Sequence, residues 1–426
     1  MKVTARQEKI NPLKSLVIGF DTGKDDFCAY SEFVSKSQPV MLEDRFANNV
    51  ATIRRQLAAY KQLCAENGYE ELVVACEPSG VYEKKLMEMA RKLGNKTYYV
   101  SGEATSKAKV IESNDIGKSD PKDARTVFLL TRMERVLTHS PLEGDHLVLR
   151  QMGGDYEDVC LLAARLKNQI SSLLDVFFCD LKLDRDFLYS DTGMFLMSEF
   201  KLNPWLIARL DWREFLAKVR GGKCKAREAT LRTVYDSAMT SILMELQAEV
   251  KTEIEGQLVY LFEMLRKALS RKKRLRAEME EIFRKTPEGK KLVCIPKANV
   301  FLLARIIAET GPLSRFKSVL QLLRYAGLNI RLRESGRYVG ERKISKKGRP
   351  LLRKVLYQLA YSCLIANGRL YHDFFSKKKV DLRNGGKAIV AVMRKVLKMI
   401  FGVAKSMAFD ERRVFMCESE CFRLKA

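Results

Sequence analysis

"SLVIGFDTGKDDFCAYSEF" occupies residues 15–33 and carries two hydrophobic patterns back to back. Residues 15–20 are an unbroken apolar run, the pattern of a short strand buried on both faces. The run stops at Asp21-Thr22-Gly23-Lys24, and a second β-prone run, "FCAYSEF", covers 27–33. Together they predict a buried strand, a turn and an antiparallel partner. Downstream, residues 45–67 place Ile53, Leu57 and Tyr60 at i, i+4 and i+7, which is helical spacing. "ELVVAC" at 71–76 repeats the buried-strand pattern and is closed by Glu77-Pro78-Ser79-Gly80. Residues 82–93 read as helix and "KTYYVS" at 96–101 as a third strand. A polar connector leads to "NDIGKSDPKDARTVFLLTRM", helical from about Asp120. Strands alternating with helices, opened by a hairpin, predict an α/β domain over residues 1–145.

Beyond that domain the periodicity is helical. Val159, Leu162, Leu166, Ile170, Leu173 and Phe177 recur at gaps of three or four, which predicts one long helix with an apolar seam. A turn-rich block at 180–226 reads as a small insert of short helices, and helical spacing resumes over 227–285. Residues 146–286 are therefore expected to be a helical, coiled-coil linker. Thr286-Pro287-Glu288-Gly289 ends it, and 287–426 reads as short helices and loops forming a mainly helical C-terminal domain.

The chain has 426 residues, 46% of them hydrophobic, so it can bury a sizeable core. Lys and Arg outnumber Asp and Glu by 77 to 52, a net charge of +25, which points to a polyanionic partner such as nucleic acid. Ten scattered Cys without a CxxC, and three unclustered His, argue against zinc and for reduced thiols in a cytosol. The most apolar stretch, 388–404, is interrupted by Arg394, Lys395 and Lys398, so it predicts an amphipathic helix and no membrane span.

Four carboxylates in the first domain could do chemistry together. Asp21 ends the first predicted strand, Glu77 ends the second, and Asp120 and Asp123 stand at i, i+3 where a helix begins. Clustered carboxylates suit hard cations such as Mg²⁺, and paired metals serve phosphodiester displacement. Each has a plain structural alternative. Asp21 can start a turn, Glu77 can be a loop acid, and Asp120-Pro121-Lys122-Asp123 can be a helix cap.

The other candidate is the segment 315–355, which holds thirteen Lys and Arg against Glu334 and Glu341. Arg331, Arg333, Arg337, Arg342, Lys343, Lys346, Lys347, Arg349 and Arg353 are expected nucleic-acid contacts. Ser335-Gly336 lies among them. Its serine reads either as a turn residue that donates to a phosphate or as a nucleophile.

"GFDTGKDD", "ACEPSGVYE" and "KSDPKDAR" resemble the three blocks of the DEDD-type insertion-sequence transposases of the one-ten group, which include the pilin-gene invertases and are guided by a bridge RNA. "AETGPLSRFKSVLQLLRYAGLNIRLRESG" and "KISKKGRPLLRKVLYQLA" resemble the C-terminal transposase domain of the same family. The blocks occur in the family's order and span nearly the whole chain. The resemblance implies an RNase H-like (resolvase-like) first domain with Asp21, Glu77, Asp120 and Asp123 binding Mg²⁺. It implies that Ser335 is a nucleophile that becomes covalently joined to DNA. It also implies donor and target DNA and a bridge RNA as partners, and a dimer or tetramer whose active site is composite. The expected setting is the nucleoid in the cytoplasm of a bacterial or archaeal cell. A metal-only junction resolvase or nuclease, a site-specific invertase, and a DNA-binding protein with an eroded site are the rival readings. One departure stands out: the family's Gly-rich turn before the apolar helix is "IPKANV" at 295–300, with no glycine.

Overall fold

The computed structural model describes residues 10–78, 80–113, 120–181, 185–331, 334–335, 338–340, 342–366 and 369–406. Within these, only the backbone is described at 111–113, 120, 185–186, 334–335, 338–339 and 369–370. The chain divides into two compact units, Met1–Pro141 and Leu142–Ala426.

The first unit runs β1 (Ser15–Thr22), β2 (Asp26–Ser35), β3 (Gln38–Ala47), α1 (Val50–Glu66), β4 (Glu71–Cys76), α2 (Lys84–Lys92), β5 (Lys96–Val100), α3 (Gly102–Ser113), α4 (Asp120–Arg132) and β6 (Val136–Thr138). Its strands form one sheet in the order β3-β2-β1-β4-β5-β6. β1 is parallel to β4 and β4 to β5, and the remaining pairs are antiparallel. The unbroken apolar run of β1 is explained by burial on two sides. Leu16, Ile18 and Phe20 pack with Ile53 and Leu57 of α1 and Leu86 of α2. Val17 packs with Ala124, Val127 and Phe128 of α4. Gly19 shares Val17's face, and a Cβ there would meet Phe128 N at 2.4 Å and Ala124 O at 2.5 Å. Only a residue without a side chain lets α4 lie this close to the sheet.

β3 is a departure from the sequence reading, which begins a helix at 45. The hairpin between β2 and β3 turns on Lys36 and Ser37, with φ of 47° and 65°. That is the both-positive geometry of a two-residue hairpin turn, built without the Asn or Gly that usually announces it. The strand it delivers is largely exposed, so its residues show no buried run. The helix starts only after Asn49, whose side chain accepts from Thr52 N.

The second unit is built on two long helices, α5 (Gly144–Phe177) and, after a helical insert, α11 (Ala248–Lys285). The insert comprises α6 (Arg185–Leu188), α7 (Asp191–Phe200), α8 (Pro204–Ile207), α9 (Trp212–Gly221) and α10 (Glu228–Ser241). Leu174 and Phe177 from the end of α5 share one core with Leu258 and Phe262 from the start of α11. Leu149 and Tyr156 near the start of α5 share another with Met279 and Phe283 near the end of α11. The two helices are therefore antiparallel. The continuous helical spacing read over 227–285 is broken in the fold. α10 packs back on α8 and α9, and the chain turns at 242–247 with Leu243 79% exposed. Periodicity kept in phase across that turn hid it.

The rest is α12 (Pro287–Leu292), α13 (Val300–Thr310), α14 (Val319–Tyr325), β7 (Ile330–Arg331), β8 (Glu334–Ser335), β9 (Tyr338–Val339), β10 (Lys343–Ile344), α15 (Pro350–Ile365), α16 (Arg369–Leu382) and α17 (Gly385–Lys405). α13 is buried almost all round and forms the centre of this core. In the glycine-free turn before it, Lys297 adopts φ 60°, the left-handed region that glycine would occupy without strain. Among the described residues no helix is long and apolar enough to cross a membrane.

Candidate active site and nucleic-acid interface

Register and parity position the first pair of acids. β1 and β4 align Gly19 with Ala75 and Phe20 with Cys76, so Asp21 and Glu77 come next, side by side at the carboxyl edge. Val17 of β1 and Val73 and Ala75 of β4 belong to the α4-side core. Side chains alternate along a strand, so Asp21 and Glu77 take that same face. α4 runs back along β1: Arg132 at its end lines a surface cavity with Ser15, Leu16 and Val17, while Ala124 contacts Gly19. The start of α4, with Asp120 and Asp123, therefore lies toward the Asp21 end.

Each described carboxylate is already held. Asp21 Oδ1 accepts from Thr22 N at 3.0 Å. Glu77 accepts from Thr105 Oγ1 at 2.7 Å, and a Cβ on Gly102 would strike its carboxylate at 2.3 Å. Asp123 pairs with Lys109 through its buried Oδ1. Thr105 and Lys109 are both on α3, one turn apart. The Cys76 thiol senses the cluster. Burial pushes its pKa well up, and Glu83, Glu77 and Asp21 push it further.

Among the described residues no three His, Cys, Asp or Glu side chains are grouped closely enough to hold a metal ion. The Asp120 side chain lies outside that description. The donors nonetheless fit a hard cation in kind: they are carboxylates, and the buried Asp123 Oδ1 is already neutralised by a cation, the Lys109 ammonium.

Four residues here were not read from the sequence. Lys109 and Thr105 give no motif signal. Glu83 is 3% exposed and lies nearest in influence to Cys76. It closes the "ACEPSGVYE" block, but only burial distinguishes it from its neighbours. Asn48, also buried, donates to Gly23 O at 2.8 Å and Tyr82 O at 3.3 Å, fastening the turn after Asp21.

In the second unit the predicted loop around Ser335 is two short antiparallel ladders. β7 pairs with β10, and inside them β8 pairs with β9, Ser335 opposite Tyr338. The Ser335 side chain, Arg333 and Arg337 lie outside the described residues. The base of this hairpin is clamped by arginines. Arg331 donates to Ser345 O at 2.6 Å, Arg353 to Ala326 O and Gly348 O at 3.1 Å, and Arg394 to Leu328 O at 2.5 Å. Arg349 donates to Glu309 at 2.6 Å, which holds its pKa up although burial opposes this. Arg342, just before β10, Lys343 in it, and Lys346 and Lys347 on the loop between β10 and α15 are exposed.

Carboxylates on the edge of a mixed sheet, in a chain of charge +25, make a layout suited to nucleic-acid processing. Comparison with known proteins agrees. Residues 18–179 match a DEDD transposase profile of IS110 type, described as "Transposase", and residues 290–375 match the "Transposase IS116/IS110/IS902 family". A Streptomyces clavuligerus protein described as "Insertion element IS116 uncharacterized 44.8 kDa protein" is 21% identical over 391 residues, covering 91% of this chain and 94% of that one. The chain belongs to the IS110-type DEDD transposases, and it is a DNA transposase of an insertion element.

Proposed function

We propose that this transposase cuts and rejoins DNA through a covalent phosphoserine at Ser335, assisted by Mg²⁺ held by Asp21, Glu77, Asp120 and Asp123 and guided by a structured bridge RNA. The observation that carries the metal half is the shared face: register and parity put Asp21 and Glu77 together beneath the helix that bears Asp123. The sheet order, a three-strand meander continued by two parallel strands, supports an RNase H-like first domain. The second unit would join and assemble subunits through its long helices, with acids and serine supplied by different copies of the chain.

Bound Mg²⁺ would supply positive charge to a phosphate whose oxygens gain negative charge during displacement. Ser335 Oγ attacks phosphorus, its proton leaves to solvent, and the P–O bond to one DNA strand end breaks, releasing that end as a hydroxyl. Attack by another strand's hydroxyl on the phosphoserine reverses the step and releases the serine. The phosphodiester is conserved throughout, so no nucleotide cofactor is consumed. Lys109 neutralises Asp123 and would compete with a cation for that carboxylate.

The test is recombination of a matched donor and target with RNA and Mg²⁺, read together with trapping of a protein–DNA adduct. Ser335→Ala should lose both recombinant product and adduct, and Asp21→Asn should lose both as well. Recombination by Ser335→Ala at the wild-type rate would overturn the serine reading. Free hydroxyl ends without any adduct from the wild-type protein would favour metal-only hydrolysis.

A further inference from the structure

One face of α15 carries aromatic surface that its own fold does not use. Leu352, Val355, Leu356, Leu359, Ala360 and Cys363 are buried in the core and fix how the helix is turned. Pro350, Lys354, Tyr357, Tyr361 and Ile365 are exposed, spaced at four, three, four and four, and so form one line along the opposite side. Tyr357 is 47% exposed and Tyr361 51%. Their ring planes are 6° from parallel with centroids 6.2 Å apart, a stacked pair on the exposed side of the helix. An outward helix face is ordinarily charged and polar. Here it is aromatic, and its charge is of one sign. From Arg342 to Ala366 the sequence has no Asp or Glu. Exposed Arg342, Lys343, Lys346 and Lys347 lie at β10 and on the loop leading from it into the helix. Lys354, on the same line as the tyrosines, is paired with Glu157 at 2.5 Å.

We propose that Tyr357 and Tyr361 form a stacking platform for unpaired bases of a DNA strand, with the 342–347 loop taking the adjoining phosphates. Aromatic rings accept the π-face of any base, and a flanking basic groove follows the backbone, which is the general device for binding single strands. A duplex keeps its base faces stacked and offers the rings nothing. A second copy of the chain is the poorer occupant, because it would set one acid-free basic segment against another. The proposal rests on the DNA-transposase reading, in which strand exchange frees unpaired DNA close to the hairpin that precedes this helix.

The experiment measures binding of full-length protein to a fluorescent oligothymidylate, to a blunt DNA duplex of equal length and to oligouridylate. The variants are Tyr357→Leu/Tyr361→Leu, which keeps apolar cover, and Tyr357→Phe/Tyr361→Phe, which keeps the rings. Each lost ring should weaken oligothymidylate binding about 10-fold. Duplex affinity should change less than about twofold, and the Phe variant should bind like wild type. Wild-type oligothymidylate affinity in the Leu variant would overturn the proposal, as would an equal loss on the duplex. It would also be overturned by a loss confined to oligouridylate, or by a change of oligomeric state with strand binding intact. Matching thermal unfolding of the variants keeps misfolding out of the comparison. Adduct formation at Ser335 is scored separately, so failure of the platform and failure of the serine chemistry give different results.

Discussion

Adding one methyl group at Gly19 should damage the carboxylate edge from a distance. An alanine Cβ would lie 2.4 Å from Phe128 N, 2.5 Å from Ala124 O and 2.9 Å from Phe128 Cα. All three are backbone atoms, so no rotamer change relieves the clash. Ordinary contact begins near 3.4 Å, so α4 must retreat from β1 by about 1 Å. The helix that moves carries Asp120 and Asp123, and the strand it leaves carries Asp21. Overpacking of this kind costs about 1–3 kcal/mol. With a urea dependence of about 1–3 kcal/mol per molar, the unfolding midpoint should fall by about 1 M. A misplacement of about 1 Å at a catalytic set can cost about 100-fold in rate. Gly19→Ala should therefore show both a lowered urea midpoint and a roughly 100-fold slower strand cleavage, assayed well below that midpoint. Gly154 on α5 is the control, since a Cβ there meets nothing within 4 Å. Gly154→Ala should be neutral or stabilising by up to about 1 kcal/mol. If Gly19→Ala unfolds at the wild-type midpoint and cleaves at the wild-type rate, the tight apposition of α4 on β1 does not set the site.

Glu157 accepts from Arg305 and from Lys354 at 2.5 Å, and Arg305 is 4% exposed. Glu157→Ala leaves that guanidinium buried against Gln358 and should cost about 3–5 kcal/mol in urea unfolding, while Glu157→Leu/Arg305→Leu should recover most of it; a single-variant loss below about 1 kcal/mol would contradict the buried-pair account. Burial lowers the pKa of His139 below its ordinary 6.5, with Glu88 and Arg91 acting in opposite senses. The folded state then prefers the neutral ring, so this contribution is complete above pH 6.5 and is lost as pH falls from there through the folded value. His139→Gln should flatten stability against pH between about 7 and 5, and an unchanged slope would assign the pH dependence elsewhere.

What the sequence discloses follows from how each element is buried. "SLVIGF" and "ELVVAC" announce β1 and β4 because both faces of each strand are covered, leaving no polar alternation to confuse with helix. β3 is nearly invisible because one side faces solvent and its turn uses Lys36 and Ser37 in place of glycine. Asp21, Glu77 and Asp123 were legible as strand-end and helix-start acids, since the ends of such elements are where an α/β sheet exposes chemistry. Glu83 was not, because only burial sets it apart, and burial of a single loop acid leaves no trace in spacing. Lys109 was hidden for the same reason, its partner Asp123 lying fourteen positions away on another helix.

Charge in the 315–355 segment serves the fold as well as any partner. Thirteen cations stand against two acids there, and nine of them are expected nucleic-acid contacts. The fold divides them by task. Arg331, Arg353 and, from α17, Arg394 donate to backbone carbonyls at the base of the Ser335 hairpin. Arg349 is tied to the buried carboxylate of Glu309. A guanidinium committed to an internal carbonyl gives up donors it would otherwise offer to a phosphate, and its planar fork makes it a good strut for a short hairpin. Among the described residues of the segment, Lys317, Arg324, Arg331, Arg342, Lys343, Lys346, Lys347 and Lys354 are exposed, and four of these fall within 342–347. Arginine density near a serine therefore reports two properties at once: the stiffness of the element that carries the serine, and the charge beside it. Two residues of pairing at each ladder would hold such a hairpin poorly in water, so the arginine contacts to backbone carbonyls help hold the small sheet on which Ser335 lies.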